Sequence, residues 1–295
     1  MKPHRWCCLA LALVAACESG SGPTAPAPSF EAPGPADHVF WARGRGPPLP
    51  LGPMTWHGGN VLVASRTFAI YWGSEWNNST FAADKITGLT SFLQGWSGSP
   101  YAGALTEYAG ANGQVTSAST YAGSIIDPSP PPAGRPTDAA LIAEVASLVP
   151  VPDAGTLYLI YATTTRGTAP FCGFHNVGTS KRHSFQFAWF FSTDGDPACD
   201  PQDTFTGHSE GLSALANTTA HELAETITDP RLQGWFAVGV SGEVGDKCNF
   251  VEDTTFVTFA NSSIWHIQAE WSNAANQAST GHLNANQEPG CVYHS

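Results

Sequence analysis

Three side chains able to handle a cation or a proton fall within five residues, His221-Glu222-Leu223-Ala224-Glu225. On a helix, residues four apart stand one above the other, so His221 and Glu225 share a face and could grip one cation between an imidazole and a carboxylate. Glu222 stands one residue along, beside such a cation. A zinc peptidase of the H-E-x-x-H type carries its general base in that place, where it takes a proton from the attacking water. The pattern here is that motif with its second histidine replaced by glutamate. Without a function, the same residues would be charges on a solvated helix face. Against that, Leu212, Leu215, Ala216, Leu223, Ala224 and Ile227 make the segment mostly apolar, and polar side chains on an apolar helix need partners.

Two ligands do not hold a zinc ion, so a third donor must come from outside the helix. The stretch 241–248, Ser-Gly-Glu-Val-Gly-Asp-Lys-Cys, follows a turn near Gly234 and offers Asp246 as first choice and Glu243 as second. Two carboxylates and one imidazole are a harder, more oxygen-rich set than three histidines. Zinc is the expected ion, and calcium or manganese suits the same donors. His175 and His183 lie mid-chain and read first as hydrogen-bonded structural histidines, with ligation as the second reading. A competing motif, Gly207-His208-Ser209-Glu210-Gly211, matches G-x-S-x-G letter for letter. It lacks the buried strand that a nucleophile elbow needs before its serine, and Ser209 reads better as a helix N-cap.

These residues need a scaffold. The spacing predicts a long helix over about 209–228, stopped by Asp229-Pro230. Further helices are expected over 80–94 and 137–149, the latter capped by Thr137 or Asp138. Strands are expected over 60–72, 155–164 and 184–191, with short ones at 254–259 and 264–271. Interleaved in this way, the elements give an α/β or α+β class: one mixed-sheet domain with a long, zincin-like active-site helix, stapled by disulfides.

The first residues carry a different message. Lys2, His4 and Arg5 precede the apolar run 6–16, which is too short to span a bilayer and has the anatomy of a secretion signal. It ends Val14-Ala15-Ala16-Cys17, small residues and then a cysteine, as in a lipobox. Residues 1–16 are thus expected to be a lipoprotein signal peptide, with Cys17 the site of lipidation. Anchoring at the cell envelope follows, in the outer membrane where the cell has one. Residues 17–50, rich in proline, glycine and alanine, read as a tether, and 51–295 as the folded domain. The net charge of −12, with only 12 lysines and arginines, excludes a nucleic-acid partner, which would need phosphate neutralisation.

Beyond Cys17 the chain has four cysteines, Cys172, Cys199, Cys248 and Cys291. An even number in an exported protein argues for two disulfides, and four cysteines allow three pairings. Pairing neighbours, Cys172–Cys199 and Cys248–Cys291, closes the shorter loops and is preferred.

Several short segments are similar to those of a known family. They are Thr55-Trp56-His57-Gly58-Gly59, Cys172-Gly173-Phe174-His175, Phe187-Ala188-Trp189, the run 223–230 (LAETITDP), the run 243–248 (EVGDKC) and Cys291-Val292. Together they resemble the EXORDIUM / phosphate-induced protein family, in its bacterial HELAE-containing type. The resemblance spans about residues 51–295. It implies a cell-wall or envelope setting, and for the plant members a role in growth and carbon signalling.

Two functions are therefore expected to compete. One is a metal-dependent hydrolase, a zinc metallopeptidase, monomeric and acting on a peptide or cell-wall substrate. The other is a non-catalytic envelope protein that binds a polysaccharide or a protein partner, with a structural metal. Trp56, Trp72, Trp76, Trp96, Trp189, Trp235, Trp265 and Trp271 would suit sugar stacking, and suit an ordinary core better.

Overall fold

The run Thr156–Thr165 has no polar alternation, so it must be covered on both faces, and it is the centre of the fold. The computed structural model describes Met1 and residues 38–237, 242–252 and 256–294. Apart from Met1, the signal segment 1–16, Cys17, the tether as far as residue 37, and Ser241 lie outside the described residues. Six strands form one mixed sheet: β1 (Val39–Trp41), β2 (Ser65–Trp72), β3 (Ser119–Asp127), β4 (Thr156–Thr165), β5 (Phe171–Ser180) and β6 (His183–Ser192). Their order across the sheet is β1-β5-β6-β4-β2-β3. Strands β3, β2, β4 and β6 are parallel, while β5 runs antiparallel to β6 and β1 antiparallel to β5.

Three helices cover the sheet. On one face, α1 (Lys85–Trp96) and α3 (Glu210–Thr228) pack Leu89, Phe92, Leu215 and Leu223 into a core with Tyr71, Leu159, Tyr161 and Phe190. On the other, α2 (Asp138–Leu148) sets Leu141 and Val145 against Ile70, Ile160, Phe187 and Trp189. Successive residues of β4 alternate between the two cores, as strand geometry requires. This is a single domain of mixed α and β structure, to which the described residues from His38 onward belong.

Two disulfides staple it, Cys172–Cys199 and Cys248–Cys291, the pairing of sequence neighbours. The first ties β5 to the loop before α3. The second ties the loop after α3 to the last strand pairing, between Glu270–Trp271 and Pro289–Val292.

Three expectations are corrected. The tether does not extend to residue 50, nor does the domain start at 51: Val39–Trp41 is an edge strand paired with β5, with Val39, Phe40 and Ala42 buried. The apolar, β-prone Val-Phe-Trp is short, and the prolines and glycines around it mask its signal. The helix expected over 80–94 is broken, because Ala83 adopts φ 43° between a short turn, Ser79–Ala82, and α1. Strands β3 and β5 join those expected from the sequence. The first is a half-exposed edge and the second is interrupted by polar residues and glycine, so neither has a clean period.

Candidate metal centre

Helix α3 begins where Ser209 caps it, its hydroxyl accepting from the Leu212 N–H, and Asp84 accepts in turn from the Ser209 N–H. No strand precedes this serine, so the G-x-S-x-G match is a cap and not a nucleophile elbow. The helix ends at Asp229, whose N–H donates to the Glu225 carbonyl, and Pro230 bars continuation. Every residue from Gly211 to Thr228 is buried. A helix buried all round must satisfy its polar groups inside the protein.

Most of them are satisfied. Thr218, Thr226 and Thr228 donate to carbonyls one turn back, Thr219 meets the Tyr161 hydroxyl, and Asn217 accepts from the Gln268 N–H. The buried side-chain atoms of α3 left without a hydrogen-bond partner are His221 Nε2, Glu222 Oε2 and Glu225 Oε2. All three belong to the motif. Two more partnerless buried oxygens face them from the following loop, Glu243 Oε1 and Asp246 Oδ1.

The loop is positioned with little freedom. The Asp246 N–H donates to Glu225 Oε1 at 3.0 Å, and a short 3-10 turn, Asp246–Cys248, leads directly into the disulfide. Gln268 Nε2 lies 3.1 Å from His221 Nδ1 and donates to the Gly245 carbonyl at 3.0 Å, which turns His221 Nε2 towards the carboxylates. There Nε2 is 3.0 Å from Glu225 Oε1, outside hydrogen-bond alignment, and 3.9 Å from Asp246 Oδ1. His221, Glu225 and Asp246 thus offer three ligand atoms within 4.8 Å of one another.

Two histidines complete the cluster, both from the sheet. His175 sits on β5, and its Nε2 lies 3.3 Å from Glu225 Oε2 and 3.3 Å from Glu243 Oε2. His38, just before β1, places Nδ1 2.6 Å from Glu243 Oε2. The structure therefore brings His221, Glu222, Glu225, Asp246 and Glu243 together, and adds His175 and His38. It leaves His183 exposed at the turn between β5 and β6. His38 fell in the stretch read as tether. The Val-Phe-Trp run beside it was the one available signal.

Glu222 is placed differently from the other acids. Its Oε1 accepts from the Phe40 N–H at 3.1 Å, while Oε2 is free among His175 and Glu225. The Phe40 ring leans on His221, centroids 4.6 Å apart, so β1 lies across the motif. Exposure is close to nil: His221, Glu222 and Glu225 are fully buried, and the least buried donor, His38, has 13 % of its side chain exposed.

Electrostatics divide the acids into two kinds. Burial, then the Glu225 charge, holds Glu222 and Asp246 well above the usual carboxylate range. Burial also works against Glu225 and Glu243, yet the imidazoles of His221 and His175 bring Glu225 down, and His38 and His175 bring Glu243 down. Burial would lower His175 and His38, but Glu243 in particular raises both. Without a cation, protons must do the neutralising. Imidazole nitrogens and carboxylate oxygens, convergent and partnerless, are a donor set that fits a divalent metal.

The tryptophans offered for sugar stacking are mostly core: Trp72, Trp76, Trp96, Trp189, Trp265 and Trp271 are buried, Trp235 is half-buried and Trp56 is exposed. No family model and no curated protein matches this chain.

Proposed function

We propose that this chain is an exported, lipid-anchored hydrolase of the cell envelope that works through a divalent metal, zinc before calcium or manganese, in the manner of a metallopeptidase. The observation that carries this reading is the convergence of buried donor atoms on His221, Glu225 and Asp246, unsatisfied by any hydrogen bond at His221 Nε2, Glu225 Oε2 and Asp246 Oδ1. Carboxylates so placed are costly until a cation neutralises them. A bound divalent ion supplies Lewis-acid polarisation of a scissile carbonyl and makes water a usable nucleophile at neutral pH. His221, Glu225 and Asp246 would hold it. Glu222, tied at one oxygen and free at the other, is the general base; a nearby cation would draw its raised proton affinity back towards neutrality, where a base works best.

Export and anchoring rest on Val14-Ala15-Ala16-Cys17, and the two disulfides support an oxidising compartment. The EXORDIUM-like segments agree with an envelope setting. The membrane is then contacted through the anchor alone, and the substrate is a peptide or a cell-wall polymer.

Burial favours a second reading, in which the metal only braces the fold. Closed shells mark structural sites, and β1 lies over this one. Glu222→Gln separates the two. For a hydrolase, the variant keeps its metal and melting temperature while peptide cleavage falls by about 100-fold or more. For a structural metal, the wild type cleaves nothing and chelation lowers the melting temperature.

A further inference from the structure

We infer that the centre takes two divalent cations, with Glu225 bridging them. The inference rests on the metal-binding reading above and adds a second position, built from His38, His175 and Glu243.

The two oxygens of Glu225 face different imidazoles. Oε1 is 3.0 Å from His221 Nε2, and Oε2 is 3.3 Å from His175 Nε2. Around the first oxygen stand His221 and Asp246; on the side of the second stand His175 and Glu243, with His38 beyond. Mutually close donors fall into the groups His221-Glu225-Asp246 and His38-His175-Glu243, joined by His175-Glu222-Glu225. No group contains both His175 and His221. The donors therefore have two poles, one at each oxygen of the shared carboxylate. Carboxylate-bridged ions sit about 3.5–4 Å apart, the spacing of two-metal hydrolytic sites.

Charge balance also favours more than one cation. Glu222, Glu225, Glu243 and Asp246 are buried acids. Ionised, they carry more charge than one divalent cation cancels, and Asp229 and Glu270, buried close by, add to it. Partnerless atoms lie at both poles, Asp246 Oδ1 at one and Glu243 Oε1 at the other. The second position also explains why a short edge strand is held over the motif: His38, immediately before β1, reaches Glu243 at 2.6 Å. A cation there would pin β1 in place.

The test uses the full chain, stripped with chelator, reloaded with Mn2+ and dialysed, then measured by elemental analysis and low-temperature EPR. The inference expects two equivalents of manganese per chain and an exchange-coupled spectrum. His38→Ala, a change at the least buried donor, should lose the second equivalent on dialysis and leave the sextet of an isolated Mn2+. One equivalent in the wild type with an isolated sextet, lost in His221→Ala, would overturn the second position and leave the metal-binding reading standing. Two equivalents with uncoupled signals would overturn the Glu225 bridge. No bound metal, with zinc tried in the same way, would overturn both readings.

Discussion

Gly245 has no side chain where His221 needs room: a Cβ there would stand 2.6 Å from His221 Nδ1. The contact is backbone against a ring that Gln268 and Phe40 also hold, so neither side can yield cheaply. Gly245→Ala should displace the imidazole, weaken zinc binding by at least about 10-fold and destabilise the fold by about 1–3 kcal/mol. A chelator competition assay and a urea melt would check both, and an unchanged zinc affinity would count against His221 as a ligand. At this scale much of the site was legible. His221, Glu222 and Glu225 announce themselves by helical spacing, and Glu243 and Asp246 by lying in a loop that a cysteine fixes. His175 stands out only as a possible donor and His38 not at all, because they reach the cluster through strand pairing, 68 and 205 residues in sequence from Glu243. Such contacts leave no local period to read.

Among the elements, β1 has an influence beyond its length. Phe40 is fully buried, its ring packs on His221 and Phe250, and its N–H holds Glu222. Phe40→Ala should cost about 3 kcal/mol or more in stability. It should also loosen the cover, so metal should pass to a chelator faster than in the wild type. Equal release rates in stopped-flow chelation would show that β1 is not the barrier. The long helix was readable end to end, since its cap, its apolar body and the Asp-Pro stop are all local signals. The central strand was readable because a continuous apolar run of its length needs cover on both faces. Strands β3 and β5 were not, because a half-exposed or glycine-interrupted strand has neither alternation nor a continuous apolar run.

The molecule as a whole is acidic, at −12, and concentrates part of that charge in its interior. In the metal-free protein, burial and then Glu243 push the Asp229 carboxyl up from 3.8 to about 7, and Glu222 and Asp246 are raised as well. A raised carboxyl binds more protons folded than unfolded, so its stabilisation is intact below the unfolded value and lost as pH rises through the folded one. His175, also raised, acts in the same direction above its unfolded 6.5. The chelated protein should therefore lose melting temperature between roughly pH 5 and 8, and the metal-loaded protein should lose less, since only Asp229, raised first by burial, still titrates there. Parallel pH–melting curves for the two forms would contradict this. Reducing the disulfides should cost about 2–5 kcal/mol for each bridge, read from urea melts with and without reductant. Cys17→Ser should release the protein from membranes into the soluble fraction, and retention with unchanged mobility would refute the lipid anchor. The central claim, a cation bound at the motif, is tested most directly by anomalous diffraction from crystals soaked in zinc. The account predicts a peak within about 2.0–2.2 Å of His221 Nε2 and of carboxylate oxygens of Glu225 and Asp246. Density showing these side chains bonded only to one another or to water, with no anomalous peak among them, would contradict it.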